Sequence, residues 1–580
     1  MIGTHFLTVV VLACFAAFSW SQRAAWTQSN LETLAIVAGD RAQVDQPFLV
    51  QLRELLAWCE SRQLAREQEL TLRLYIERDP GRQYIFFPSD DGERWQRAIY
   101  AECDHDWRQR IDELTADYAR KLYQLALTWA ATNRGTDSYQ LLHEVLYWDP
   151  GHSEARRVLG HRRNGDGWQV VSERLRKQRG ARPQSQMNWP AGSYWQIYTD
   201  QFDIASCADE QTTLRLSELL QQTQIVWRQV FFDYWGNAGM LQNWIAGTTR
   251  ASPPSRRFKI ILFANRQQYL DALTNLIPGV ENSSGYYNDR LQTSFLYADP
   301  DPTIEETWRH ELTHQLFQES IRARRGAFDA NSLWLGEGIA MYLESIRDFD
   351  EFATLGGWDA RKLQFARMRR LRLQQHRPLA ELAVMSGEQF QRDPDVRQLY
   401  SQAAGLCHFL MVGEHGALRT QTVELLSAVY RGRIQPTAVE QILARSFDTL
   451  DHDYANFLRV GQHDLSQWLI SPNLVTELSL ADAMLDDEAW KVLGSCLKLK
   501  WLDLSGQTLT AQHIQHLSGL PQLEKLFLNR CQIDQGVLAT LVQLPALSTL
   551  DLQGVVLDSK LQGELQALSA ARPALRIQFE

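Results

Sequence analysis

The chain has 580 residues, more than a single hydrophobic core normally organises, so we expect three or more domains. Hydrophobic residues make up 44% and charged residues 22%, which are ordinary values for globular domains. The net charge of -10 argues against nucleic acid as the main partner.

The first 21 residues have the features of an export signal. Their apolar run, Phe6 to Phe18, spans about 13 residues, which suits a signal peptide and is short for a membrane span. Residues 19–21 fit a cleavage site, although no Lys or Arg precedes the apolar run, and lipid attachment at Cys14 is the alternative. No later segment is apolar enough to span a bilayer. We therefore predict an exported protein, whether periplasmic, secreted or lipid-anchored, with no transmembrane span in its mature form.

Residues 22–178 are predicted to form a helical module. The segment 125–160 has two amphipathic runs around a turn, which resembles a tetratricopeptide helix pair. One such unit is visible, whereas a solenoid needs about three, so we expect a packing module rather than a repeat array. The following stretch, 179–193, is rich in Pro, Gly, Ser and Gln and is predicted to be a linker.

The cysteines do not indicate a metal site. No CxxC occurs, and the six cysteines beyond the signal are sparsely spaced. A Cys59–Cys103 disulfide and free buried thiols both remain open.

Residues 194–465 are predicted to form one mixed domain. The segment 194–206 is strand-like and precedes an amphipathic helix, and "FKIILF" (258–263) and "TSFLYA" (293–298) are predicted strands. From there to residue 465 the pattern is helical.

The stretch "TWRHELTHQLF" (307–317) carries two histidines four residues apart, with a glutamate directly after the first. On a helix, His310 and His314 point the same way within about 40°, so their imidazoles can supply two corners of a zinc tetrahedron. Glu311 lies next to that face, where it can take a proton from a metal-bound water. The alternative is a helix that happens to carry two histidines, and a third ligand decides between the two.

The segment "NSLWLGEGIAMYLES" (331–345) offers that third ligand. Catalytic zinc sites typically use three protein ligands and a water. Glu337 follows the motif in sequence and lies in this segment, which is predicted to form a second helix. Glu344, two turns further on, is the competing ligand.

Small residues surround this glutamate. Asn331 or Ser332 is expected to cap its helix. Gly336 and Ala340 are predicted to let a neighbouring helix approach, and Gly338 to leave room beside the carboxylate.

"HELTH" together with "WLGEGIAMYLE" resembles the gluzincin metallopeptidases, in particular the peptidase MA-like families, over roughly residues 194–465. In such enzymes the two motif histidines and the later glutamate bind zinc, and the motif glutamate is the catalytic base. The resemblance therefore implies a Zn2+ site formed by His310, His314 and Glu337, with Glu311 as the general base.

The resemblance also implies two further features. The strand before the motif helix typically binds extended substrate, which would place Ser294–Tyr297 at the edge of the cleft. These families usually use a Tyr or His to stabilise the oxyanion. We predict Tyr400 for this role, with His408 and Tyr342 as alternatives.

The tail, 475–580, is an internal repeat that matches the leucine-rich pattern. Its strand-like triplets recur every 24 residues, at Leu478, Leu502, Leu526 and Leu550. The column that usually holds Asn or Cys reads Ala483, Gln507, Cys531 and Val555. The flanking residues are predicted to form an exposed face that binds a protein partner, namely Asp503, Ser505, Phe527, Asn529, Asp551 and Gln553. The alternative is that the array caps the catalytic domain.

These patterns predict a multidomain α+β protein with a helical N-terminal module, a gluzincin-type metallopeptidase domain and a C-terminal leucine-rich-repeat α/β solenoid. We expect an exported zinc peptidase that acts on peptides or proteins. The alternatives are an inactive, binding-only envelope protein and a hydrolase of non-peptide amides.

Overall fold

The computed structural model describes residues 40–579, apart from 75–77, 79–80, 88–99, 166, 170–174, 252–255, 278, 350–351, 436–437, 462–463, 466–471 and 473–474. The predicted signal segment 1–21, with Cys14, lies outside the described residues. The protein has several domains that mix helices with several separate sheets, as the sequence predicted at that level. No helix of the described part is both long and apolar enough to cross a bilayer.

The N-terminal module is helical, and its helices are Asp40–Ser61, Ala65–Arg73, His105–Ala131, Gly135–Trp148 and Ser153–Val158. His105–Ala131 and Gly135–Trp148 contact each other around the turn predicted within 125–160. Asp104 begins the longest helix, since its carboxylate accepts a hydrogen bond from the Trp107 amide. Cys59 and Cys103 are both buried and unbridged, so the free-thiol alternative holds in this structure.

Two strands of the predicted helical module pair with strands of the next predicted domain. Strand Arg82–Phe86 pairs antiparallel with Phe352–Gly356, and Arg347–Asp348 completes a three-stranded sheet. The predicted linker 179–193 connects the adjacent antiparallel strands Arg176–Arg179 and Trp195–Tyr198 instead of two domains. Its Pro, Gly and Ser content suits a hairpin connection as well as a linker, which is why composition misassigned it.

A six-stranded mixed sheet forms the centre of the predicted metallopeptidase region. Its strand order is Arg176–Arg179, Trp195–Tyr198, Phe202–Ser206, Phe258–Phe263, Thr293–Tyr297 and Tyr286–Asn288. The strands predicted within 194–206, 258–263 and 293–298 are therefore present. Thr293–Tyr297 is interior, because it pairs with strands on both sides. The expectation that Ser294–Tyr297 forms the cleft edge is wrong, and Tyr286–Asn288 is the edge strand.

The helices that pack on this sheet include four that surround the candidate site. We call Ile304–Ser320 the motif helix, Leu333–Leu343 the ligand helix, Arg361–Arg367 the docking helix and Val396–Val412 the wall helix. The docking helix continues as the π-helical turn Met368–Arg372. The other helices are Glu210–Val230, Phe232–Trp235, Ala238–Ile245, Arg266–Leu273, Leu379–Val384, Gly387–Arg392, Arg419–Tyr430, Ala438–Leu443 and Phe447–Phe457.

The C-terminal part, which we call the repeat domain, is a stack of parallel strands. The strands are Glu477–Ser479, Trp501–Asp503, Lys525–Phe527, Thr549–Asp551 and Arg576–Gln578. The leucines predicted to recur every 24 residues stand in one ladder, because Leu478, Leu502, Leu526 and Leu550 are successive partners. The return segments contain the helices Asp487–Gly494, Ala511–Gln515, Val537–Thr540 and Ser559–Ala571.

The strand face of the repeat domain is covered, contrary to the expectation of an exposed surface. Asp503 and Ser505 have no exposed surface, and Gln553 is the one residue of the predicted set that is exposed. Trp358, next to the docking helix, packs in the same apolar cluster as the repeat leucines. The repeat pattern shows which residues flank the leucines, but it does not show which surface lies against them.

Candidate metal centre

The motif helix is fixed by its apolar stripe. Trp308, Leu312 and Leu316 are buried, and the Trp308 indole donates a hydrogen bond to the Tyr297 carbonyl at 3.0 Å. This stripe holds the helix against the end of an interior strand. As a result, His310 and His314 face the cleft and are only half-buried. The apolar face of the helix therefore packs inward, and the face that carries both histidines is turned to the cleft.

Three side chains from two helices converge in the cleft. His310 Nε2 lies 3.2 Å from His314 Nε2 and 3.2 Å from an oxygen of Glu337, and His314 Nε2 lies 3.8 Å from the other Glu337 oxygen. A tetrahedral zinc with bonds of about 2.0–2.2 Å would space its ligand atoms by about 3.3–3.6 Å. Within the described residues, this is the one cluster of three or more His, Cys, Asp or Glu side chains that could hold a metal ion. Its spacing and its donor atoms fit zinc.

Glu344 is not part of that cluster. Its Oε1 accepts a hydrogen bond from His310 Nδ1 at 2.8 Å, and its side chain is almost fully buried. The bond holds a proton of His310 on Nδ1 and turns Nε2 toward Glu337 and His314. The competing-ligand alternative for Glu344 is therefore not what the structure favours, because the carboxylate supports a ligand instead.

The charges of these groups act on one another. Burial alone would lower the pKa of His310, but the Glu337 and Glu344 carboxylates raise it well above its usual value. Burial lowers the pKa of His314 to about 4, so this imidazole is neutral near pH 7. Burial would raise the pKa of Glu337, yet the two histidines hold it below its usual range. The cluster thus attracts a positive charge, and a divalent cation competes for that position with a proton.

Glu311 points into the same cleft and is held by the edge strand. Its Oε2 accepts a hydrogen bond from the Tyr287 amide at 2.7 Å. Burial raises the pKa of the Glu311 carboxyl to about 7. Gly285, just before the edge strand, lies so close that an added Cβ would be 2.9 Å from Glu311 Cγ. Neither Gly285 nor Tyr287 was identified from the sequence, where "SSGYYND" shows only a turn before two aromatic residues.

The glycines of the ligand helix have packing roles, but not those assigned from the sequence. A Cβ on Gly338 would lie 2.4 Å from the Ala403 carbonyl of the wall helix, so Gly338 allows the helices to approach. A Cβ on Gly336 would meet the Phe328 ring at 2.6 Å. The predicted side-chain cap is also absent, because Ser332 precedes the helix with a φ of 66° and caps nothing.

The cleft has a volume of about 960 Å³, and its lining includes all three clustered ligands, Glu311 and Tyr400. The charge of Glu337, followed by burial, raises the pKa of the Tyr400 hydroxyl, so this group remains a hydrogen-bond donor beside the cluster. The predicted residue is thus placed at the site.

The two alternatives to Tyr400 lie away from the cleft. His408 is buried with Nδ1 2.9 Å from the Ala404 carbonyl, and the Tyr342 hydroxyl accepts a hydrogen bond from Gln83. Tyr430, which the sequence analysis did not consider, also lines the cleft, and its buried hydroxyl has no hydrogen-bond partner among the described residues.

Comparison of the chain with protein-family models, with curated proteins and with solved structures gave no match. The assignment of function therefore rests on the residues and on their geometry.

Proposed function

We propose that this protein is a zinc-dependent peptidase of the gluzincin type. The observation that carries the proposal is the convergence of His310, His314 and Glu337 at tetrahedral spacing, beside Glu311 in an open cleft. When bound there, zinc supplies Lewis acidity to a substrate carbonyl and makes a water more acidic. The remaining chemistry belongs to the side chains of the protein.

Glu311 is suited to be the base rather than a ligand. The Tyr287 amide holds one of its oxygens and leaves the other free to accept a proton from water. A carboxylate held in that orientation can take up the proton and return it to the leaving nitrogen. The short hydrogen bond fixes the direction in which the carboxylate acts.

Tyr400 is suited to stabilise the negative charge that develops on the substrate carbonyl oxygen. Its hydroxyl lies close enough to Glu337 for that charge to be the largest influence on its pKa. A neutral donor fixed beside the reacting carbonyl stabilises the transition state more than the ground state. Tyr430 is the rival donor, because it also lines the cleft and its buried hydroxyl has no hydrogen-bond partner among the described residues.

The cleft favours an extended peptide as substrate. Residues 283–287 line it and lead into the edge strand, whereas Tyr297 is the one residue of Thr293–Tyr297 that reaches it. An edge strand binds extended chains by backbone hydrogen bonds, so this edge favours peptides over other amides. We also propose that the protein is exported and that its substrates are peptides or proteins.

The binding-only alternative has less support. It uses the helical module and the repeats as binding scaffolds, and the strand face of the repeats is buried against the catalytic domain. A scaffold would also have no need of a buried carboxyl group aligned beside the three clustered ligands.

The test uses the full chain. The protein is expected to bind about one zinc and to cleave members of a mixed peptide library. Glu311→Gln should keep the zinc and the fold, because the size of the side chain is preserved. Hydrolysis should fall by about 10²–10⁴-fold, because the proton acceptor is lost. Glu69→Gln, which alters an exposed surface pair with Arg73, is the matched control and should be fully active. A wild type that binds zinc but cleaves nothing would favour the binding-only alternative.

A further inference from the structure

The repeat domain and the catalytic domain share an interface that reaches almost to the metal centre. The Arg372 guanidinium lies 3.6 Å from the centre of the Phe527 ring, and its Nε lies 3.9 Å from a buried Asp503 oxygen. Arg530 of the repeat domain donates a hydrogen bond to the Arg372 carbonyl at 2.9 Å. The π-helical turn after the docking helix is therefore held on the strand face of the repeats.

The first turn of the docking helix joins this interface to the motif helix. Arg361 Nε lies 3.1 Å from Glu477 Oε1, on the first strand of the repeat domain. Another nitrogen of the same guanidinium donates a hydrogen bond to Glu306 Oε2 at 2.8 Å. Glu306 lies on the motif helix, one turn before the first histidine. One arginine thus bridges the repeat domain and the helix that carries two of the clustered ligands.

The next residue, Lys362, contacts Glu344, the carboxylate that supports His310. Its Nζ lies 3.0 Å from Glu344 Oε2 and 3.7 Å from Glu306 Oε2. The other oxygen of Glu344 accepts the hydrogen bond from His310. The Glu344 carboxylate is therefore held from both sides, by a cation and by a clustered imidazole.

We propose that Lys362 is a positioning residue for the metal centre and that the docked repeat domain keeps it in place. This inference rests on the proposed function, because it assumes that His310 binds zinc. The contacts form a continuous relay of Glu477, Arg361, Glu306, Lys362, Glu344 and His310. A carboxylate that orients a ligand histidine typically changes metal affinity by about 10–100-fold, and Lys362 holds that carboxylate in its orientation.

This relay gives the repeats a role other than capture of a partner. Their strand face is occupied by the catalytic domain of the same chain, and their first strand supplies Glu477 to the relay. Loosening the repeat domain would release Arg361, and then the Lys362 side chain beside it. The metal centre would lose affinity although none of its ligands had changed.

The test measures zinc affinity of the full-length, metal-stripped protein by competition with a chromogenic chelator. Lys362→Met keeps most of the aliphatic length and removes the charge, and its zinc affinity should fall about tenfold or more. Lys362→Arg should recover most of the loss. Lys121→Met, which removes an exposed pair with Asp117, is the matched control and should bind zinc like the wild type.

Glu477→Gln tests the part played by the repeat domain without changing any residue around His310. It should weaken zinc binding in the same direction as Lys362→Met, by a smaller factor. Thermal unfolding of the metal-free proteins separates positioning from general support, since a merely structural lysine would lower the melting temperature and leave the zinc affinity unchanged.

Two outcomes would overturn the proposal. Wild-type zinc affinity in a folded Lys362→Met protein would show that the lysine does not position the metal centre. Wild-type zinc affinity in a Glu477→Gln protein would show that the repeats play no part. A wild-type protein that binds no zinc would instead refute the proposed function, so the two failures can be told apart.

Discussion

Gly285→Ala is expected to reduce catalysis while zinc binding is retained. The added Cβ would lie 2.9 Å from Glu311 Cγ and 2.9 Å from a methyl carbon of Thr307. Carbon atoms pack at about 3.5–4.0 Å, so the groups must separate by about 0.6 Å or more. Both contacts belong to the motif helix, so they push the helix and the edge strand apart.

Either movement that relieves these close contacts disturbs Glu311. If its side chain moves, the carboxylate leaves its position, and if the edge strand moves, the 2.7 Å hydrogen bond from Tyr287 lengthens. Misplacement of a reacting group by about 1 Å can cost about 10²-fold in rate. We therefore expect kcat/KM to fall by about 10–100-fold, with zinc content unchanged because none of the three atoms nearest to the added Cβ belongs to His310, His314 or Glu337.

The assay compares peptide hydrolysis and zinc content of Gly285→Ala with those of the wild type. Gly563→Ala is the matched control, because a Cβ there meets no atom within 4 Å and the residue lies inside a helix. Wild-type activity in Gly285→Ala would refute the reasoning, and so would loss of activity that is fully explained by loss of zinc.

Three further predictions concern the ligands, the repeats and acid stability. Glu337→Ala should weaken zinc binding far more than Glu344→Ala in equilibrium dialysis, because Glu337 belongs to the ligand cluster; the reverse ranking would transfer that role to Glu344. Deletion of residues 475–579 should leave an aggregated or inactive protein, since it uncovers the apolar surface beneath the repeats, whereas a monomeric, fully active product would show that they are dispensable. Burial would raise the pKa of Glu144, but Arg41 and a second arginine lower it from 4.5 to about 2. The contribution of the ionised carboxylate to the free energy of unfolding is therefore present above pH 4.5 and lost as the pH falls through about 2. Glu144→Gln should therefore cost about 3 kcal/mol at pH 7 and much less near pH 2 in urea unfolding, and an equal cost at both would contradict this assignment.

The sequence predicted the local features well where residue spacing determines the geometry. His310 and His314 share a helix face because they are four residues apart, and the repeat leucines form one ladder because their period is constant. Glu337 could be chosen from its position in a second helix. Its proximity to the histidines is tertiary, because it depends on how the ligand helix packs against the motif helix.

The features that were missed depend on contacts between distant segments. Glu344 appeared to be a rival ligand, since the sequence gives its position along the helix but not its hydrogen bond to His310. The edge strand was misassigned because the short strand Tyr286–Asn288 folds back beside the one that precedes the motif helix. The covered face of the repeats could not be foreseen, because a polar side chain such as that of Asp503 is compatible with either water or a docked arginine.

The pairing of strand Arg82–Phe86 with Phe352–Gly356 has a consequence for synthesis of the chain. Arg82 and its partner Gly356 are 274 residues apart, so at about 5–20 residues per second the strand waits roughly 14–55 s for its partner to leave the ribosome. During that interval its backbone hydrogen-bonding groups have no sheet to join, and they are open to pairing with other chains. The ligand helix depends on the same event, because Gln83 in this strand binds Tyr342. Completion of the metal centre is thus expected to be among the last steps of folding, and chaperone protection of the nascent helical module should increase the yield of zinc-binding protein.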